Sequence, residues 1–181
     1  MKMKWLIFIS ILLITLSLSI STERCSDNMG IWYKHLKDCV IEPTLKHIGM
    51  YSPAATELLL GTIAHESLGG FYLQQYPSGI AKGIFQMEPE TIQDLWENWL
   101  RRKRNLRQQL GIEMPDIKRL MWDLRYATIW ARLNYYRVKE PLPEVKDIKG
   151  LAEYWHKYWC RGCKGTVNKW VKDYKFYKGN D

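Results

Sequence analysis

The chain has 181 residues, with 27 Lys and Arg against 19 Asp and Glu, for a formal charge of +8. Apolar residues make up 46% and charged residues 25%, a globular composition that excludes collagen-like, low-complexity and acidic solvating sequences. The length suits one domain, and nine Trp and eleven Tyr beside four Phe favour places where an apolar ring carries a polar tip, wet grooves as well as cores.

Met1 to Ser21 reads as an export signal. Lys2 and Lys4 make a positive start, Trp5 to Ile20 carries no charge, and Ser17-Leu18-Ser19 and Ser19-Ile20-Ser21 offer small residues for cleavage. The alternative is an uncleaved anchor, for which the run is slightly short of the ~20 apolar residues a span needs. Thr22, Glu23 and Arg24 before Cys25 are too polar for a lipidation site. Removing the signal takes two lysines and no acids, leaving +6. The expected location is therefore periplasmic or extracellular, where a basic chain suits anionic envelope polymers. Export also favours disulfides among Cys25, Cys39, Cys160 and Cys163, with three connectivities open. The competing reading is zinc, since His156-x-x-x-Cys160-x-x-Cys163 has metal-like spacing.

The remaining chain reads as helices between punctuated loops. Ser52-Pro53 opens the first, with a cap and a proline in the first turn. Leu58, Leu59, Thr62, Ile63 and Glu66 recur at helical spacing, and Gly69-Gly70 stops it. Gly69 to Gln86 holds Gly, Pro, Ser and aromatics and is expected to be irregular or a short hairpin. Phe71, Tyr72 and Tyr76 in it are placed to contact a sugar polymer. Glu88-Pro89-Glu90 opens a helix with Ile92, Leu95, Trp96, Trp99 and Leu100 inward. Pro115-Asp116 is expected to open a long helix through about Val138. Trp122, Tyr126, Trp130, Leu133 and Tyr136 form its aromatic stripe, read mostly as core. Asp147 starts a helix through Trp159, and Thr166 caps the last, with Val167, Trp170, Val171 and Tyr174 as its stripe. No internal repeat and no dividing linker is evident. The expected fold class is mainly α, with a small irregular or β insertion.

One carboxyl stands out. Glu66 follows Ile63-Ala64-His65 at the negative end of a strongly apolar helix. Both settings disfavour the carboxylate, so its pKa should rise. A carboxyl that keeps its proton near neutral pH suits a general acid. Glycines nearby let a polymer approach the backbone. His65-Glu66 does not begin a zinc protease motif, because the second His would fall at Gly69. No Gly-x-Ser-x-Gly elbow and no phosphate-binding glycine loop is present.

The segment Ile63-Ala64-His65-Glu66-Ser67, then Gly70, then Ala81-Lys82-Gly83-Ile84-Phe85-Gln86-Met87-Glu88-Pro89, resembles the soluble lytic transglycosylase family of the lysozyme-like superfamily. That family pairs a Glu-Ser at a helix end with a Gly-aliphatic-x-Gln-aliphatic-x-Pro segment. The likeness is strongest over Ala54 to Trp96. It extends loosely to Tyr154-Trp155-His156-Lys157-Tyr158-Trp159 and Lys164-Gly165-Thr166, which look like a short phage-associated branch. The resemblance implies a lysozyme-like helical domain that cleaves the MurNAc-GlcNAc bond of peptidoglycan and leaves a 1,6-anhydro end. Glu66 would be the acid and then the base, with no cofactor and no metal. Ser67 would orient Glu66 or the substrate, and Gln86 would hydrogen-bond the glycan. Gly83, Phe85 and Met87 would flank it, and Tyr154 or Tyr158 would stand near Glu66. Where the family has Asn after its tyrosine, this chain has Trp159 and Cys160 after Tyr158.

Two-carboxylate hydrolysis is the chemical competitor, with Glu88, Glu90, Asp94 and Asp123 available as second acids. A different class altogether is a non-catalytic, disulfide-braced envelope or phage-related protein of the same fold. Arg101-Arg102-Lys103-Arg104 with Arg107 is the densest basic run. It reads as a solvated helix end, and no nucleic-acid motif accompanies it. The expected partners are peptidoglycan strands and anionic envelope polymers, not nucleic acid. Contact with a membrane is expected only through the N-terminal segment, and the expected state is a monomer.

Overall fold

The computed structural model describes residues 30–75, 77 and 79–179. The proposed signal segment, Cys25 and Tyr76 lie outside the described residues. Among those described, the chain is mainly helical with almost no strand, and no helix is long and apolar enough to cross a membrane.

Two short helices, α1 (Tyr33–Leu36) and α2 (Glu42–His47), are joined end to end by a π-turn over Lys37–Ile41. Pro43 explains the wider turn. A proline has no N–H to donate and crowds the carbonyl four residues back, and one wide turn relieves both. Sequence periodicity did not reveal this helix. α3 (Pro53–Ser67) is the axis of the fold. Ser52 Oγ accepts from Ala55 N at 3.1 Å, and Pro53 sits in the first turn. Every residue from Ala55 to Ala64 is buried, so this helix is apolar on all sides and must be surrounded. It is surrounded by α8 (Val167–Lys178), α7 (Ile148–Trp155) and α6 (Leu124–Tyr136), with the α1–α2 π-turn closing the ring. Its tightest contact is at Gly61, where a Cβ would lie 2.0 Å from the Trp170 ring. α3 ends where Leu68 turns left-handed (φ 52°) ahead of Gly69 and Gly70.

The predicted caps at Ser52, Asp147 and Thr166 all bond backbone N–H groups of their helices. α4 (Pro89–Leu95) runs on through a π-turn to Leu100, and α7 runs on through a π-turn over His156–Cys160. The long helix expected from Pro115 is broken. Asp116 Oδ1 instead accepts from Lys118 N and Arg119 N, closing a local turn into a 3₁₀ segment over Lys118–Met121. α6 then starts afresh with Asp123 accepting from Tyr126 N at 2.9 Å. Of the aromatic stripe, Tyr126, Trp130 and Leu133 are core, whereas Trp122 and Tyr136 are exposed. Of the basic run, Arg101 to Lys103 form the turn that follows Leu100, and Arg104 opens α5 (Arg104–Leu110).

A buried carboxylate ties three helices together. Glu57 of α3 accepts from Tyr33 Oη of α1 and Tyr174 Oη of α8, both at 2.6 Å, and Lys37 Nζ lies 3.4 Å away. Burial pushes the Glu57 carboxyl up, but these donors outweigh it and hold the group below its ordinary value.

Candidate active site

Glu66 is presented by the last turn of α3. Ser67, the next residue, is fully buried. Its Oγ donates its one proton to Ile84 O at 2.6 Å, with Ile63 O a weaker shared acceptor at 3.1 Å, and accepts from Gly70 N at 2.9 Å. The serine thus staples the helix end to the returning segment 83–87. The hydroxyl is spent on backbone and does not line the cleft, so of its two expected roles the geometry suits holding the Glu66 helix end rather than touching a substrate.

The returning segment is a tight hairpin-like turn. Lys82 and Met87 exchange both backbone hydrogen bonds at 2.9 Å, and among the described residues the expected irregular or β insertion holds two isolated bridges, Gln74 with Lys82 and Lys82 with Met87. Gly83 has φ +74°, and a Cβ there would sit 2.4 Å from Leu120 O, so only glycine fits. Gln86 is left-handed too, at φ 47°, and its Nε2 donates to Gly83 O at 2.8 Å. That conformation turns Gln86 into the cleft, while Ile84 and Phe85 are buried beneath. Met87 is buried but reaches the cleft wall. Strain at a non-glycine residue of this kind costs about 1–3 kcal/mol and is typical of functional turns.

Glu66 and Gln86 face a common cleft of about 420 Å³, completed by Glu88 and Thr91, Asn134 of α6, and Trp159 to Cys163. Trp155 Nε1 donates to Glu66 Oε1 at 3.2 Å. The Glu66 carboxyl is pushed up to about 7: burial is the main cause, and the nearby Glu88 charge adds to it. The Trp155 and Trp159 indole N–H groups pull the other way, since they favour the carboxylate. The neutral acid is therefore present in quantity near pH 7.

Two expected residues are not in this site. Tyr154 Oη donates to Glu140 O at 3.0 Å, and Tyr158 Oη bonds the Glu140 carboxylate. The reason is helical register. Tyr154 and Tyr158 lie four residues apart on one face, and Trp155 and Trp159 lie on the next, about 100° round. The indoles, not the phenols, face Glu66. Below them Tyr135 is buried, stacked on Trp159 at 5.2 Å, with its hydroxyl 2.8 Å from Thr62 Oγ1.

Several cleft residues escaped sequence reasoning. Asn134 is 3% exposed and its Oδ1 has no hydrogen-bond partner, although it lines the cleft. A buried acceptor without a partner is costly, about 1–3 kcal/mol. Nothing in its sequence context marked it. The π-turn after α7 brings Trp159 to the wall, and Cys160 is bonded to Cys163. The disulfide fixes the loop carrying Arg161 at the cleft rim. With both sulfurs bonded, the His156-Cys160-Cys163 zinc reading loses two of its thiolate ligands. Cys39 is exposed with no disulfide partner among the described residues. Phe71 and Tyr72 are exposed on the loop beside Gln86, edge to face at 4.9 Å.

Comparison with protein-family models, with curated proteins and with solved structures finds no match to this chain.

Proposed function

We propose that the chain is a lysozyme-like, exported enzyme that cleaves peptidoglycan strands as a lytic transglycosylase. The observation that carries the reading is the Glu66 carboxyl held at about 7 on a sugar-sized cleft opposite Gln86. In its neutral form Glu66 donates its proton to the glycosidic oxygen as the bond to the anomeric carbon breaks. The resulting carboxylate then takes the proton of the sugar's 6-hydroxyl as that oxygen closes on the anomeric carbon. No water enters and one carboxyl serves both steps. The Trp155 indole N–H stabilises the charge that appears on Glu66 between them. Asn134 lines the cleft wall, and the exposed Phe71 and Tyr72 offer apolar faces to sugar rings.

A second reading rests on Glu88, which shares the cleft and adds its charge to the environment of Glu66. If Glu88 activates a water, the same acid would serve hydrolysis. Mass spectrometry of fragments from purified peptidoglycan separates the two. Anhydro ends from wild type and from Glu88→Gln support ring closure. Reducing ends alone, lost in Glu88→Gln, refute it in favour of hydrolysis.

A further inference from the structure

A second cleft, of about 760 Å³, shares no residue with the one at Glu66. Its walls include Arg104, Arg107 and Gln108 of α5, Glu113 from the following turn, Arg119 from the 3₁₀ segment and Tyr126 from α6. The basic run in the sequence supplies only two of these arginines. Folding brings the third, Arg119, from twelve residues beyond Arg107 in the chain.

The three guanidinium groups are not equally committed. Arg119 is paired with Asp123 at 2.8 Å and lies 4.5 Å above the Tyr126 ring. Arg104 and Arg107 have no ion-pair partner among the described residues. Arg107 is held over the Trp96 ring at 5.4 Å, and its Nε–H is buried with no acceptor. Glu113 is the only acid in the wall and is exposed, so the cleft keeps an excess of positive charge.

We propose that this cleft is a binding site for the phosphate groups of an anionic polymer that carries no nucleobases, since no nucleic-acid motif accompanies the basic run. A guanidinium presents a planar fork of donors that fits two phosphate oxygens at once, which an ammonium cannot do. Arg104 and Arg107 are three residues apart on α5, so their side chains leave the helix about 5–6 Å from one another. That spacing matches successive charges along a chain better than one small anion, as does a volume within the range of ligand-sized sites. Tyr126 stands at the start of α6 and Asn134 near its end, about 12 Å along the same helix. A polymer held at the arginines would keep the protein on an anionic surface while leaving the Glu66 cleft free. The site stands or falls independently of what Glu66 does.

The test is titration of the full chain with short-chain inorganic polyphosphate at several salt concentrations, with folding of every variant checked by circular dichroism. Wild type should bind with a steep salt dependence. Arg104→Ala/Arg107→Ala should weaken binding at least about tenfold at 0.1 M salt and flatten that dependence. Arg107→Lys, which keeps the charge and loses the fork, should also bind more weakly. Lys139→Ala/Lys146→Ala, which removes the same charge from exposed positions elsewhere, should leave affinity within about twofold. Equal losses in both double variants, or no binding by wild type, would overturn the site. Poly-glutamate binding as tightly as polyphosphate would overturn the phosphate assignment. Tighter binding of a single-stranded oligonucleotide, lost in Trp122→Ala, would overturn it in favour of nucleic acid.

Discussion

Glu66→Gln should make the protein more stable at alkaline pH while leaving its stability in acid nearly unchanged. Burial holds the carboxyl at about 7 against an ordinary 4.5, and unfolding returns it to the ordinary value. Between those two values the folded chain binds more protons than the unfolded one. Stability therefore falls as pH rises through this window, and the loss is complete once pH exceeds the folded value. A difference of this size corresponds to about 3 kcal/mol at 1.36 kcal/mol per unit. Partial solvent access at the cleft trims that toward about 2 kcal/mol. Glutamine keeps the side-chain volume and offers an amide oxygen to the Trp155 N–H, so packing changes little. Chemical denaturation of both proteins at pH 4, 6 and 8 measures the difference directly, because every other titrating group is common to the two. The expected gap is near zero at pH 4 and about 2–3 kcal/mol in favour of the variant at pH 8. A gap that does not vary with pH, or a variant less stable at pH 8, would refute the claim that burial holds this acid neutral.

Trp155→Phe removes an N–H that favours the Glu66 carboxylate, so the carboxyl should titrate about one unit higher still; the ¹³C shift of the Glu66 carboxyl reports it, and an unchanged or lower value contradicts the assignment. Tyr174→Phe deprives buried Glu57 of one of its two tyrosine donors. Because the Glu57 carboxyl sits below its ordinary value, its contribution is complete above the unfolded pKa and is lost as pH falls through the folded one. The variant should cost about 1–3 kcal/mol near neutrality and unfold at higher pH on acid titration, and an unmoved acid midpoint would argue against the Glu57 anchor. Gly61→Ala forces a methyl into the fully buried Trp170 ring and should cost about 1–3 kcal/mol; thermal unfolding at the wild-type temperature would show that the α3–α8 contact is looser than described.

What could be read from the sequence was what short-range chemistry controls. Ser52, Asp147 and Thr166 are caps whose bonds are made within three residues, and the apolar run of α3 announces a buried helix. The placement of Glu66 and Gln86 in one cleft followed from a motif whose glycine and left-handed glutamine have geometric reasons. Errors came where the register or a tertiary partner decides. Tyr154 and Tyr158 were one residue out of phase with the indoles that face Glu66, a distinction composition cannot supply. That Ser67 supports the Glu66 helix end rather than meeting a ligand could not be read from sequence, because its acceptor, Ile84 O, lies seventeen residues on. Asn134 was invisible because only the fold reveals that its oxygen is buried and unmet. The helix at Tyr33–His47 was hidden by Pro43, which a π-turn accommodates.

The proposed glycan cleavage rests most directly on Glu66 moving the proton. The measurement is the rate of solubilisation of purified sacculi by wild type and Glu66→Gln from pH 5 to 9. Wild-type activity should fall about tenfold per pH unit above about 7, where the acid loses its proton. The variant should lose at least about a hundredfold at every pH. A Glu66→Gln protein that clears sacculi at the wild-type rate would contradict the account.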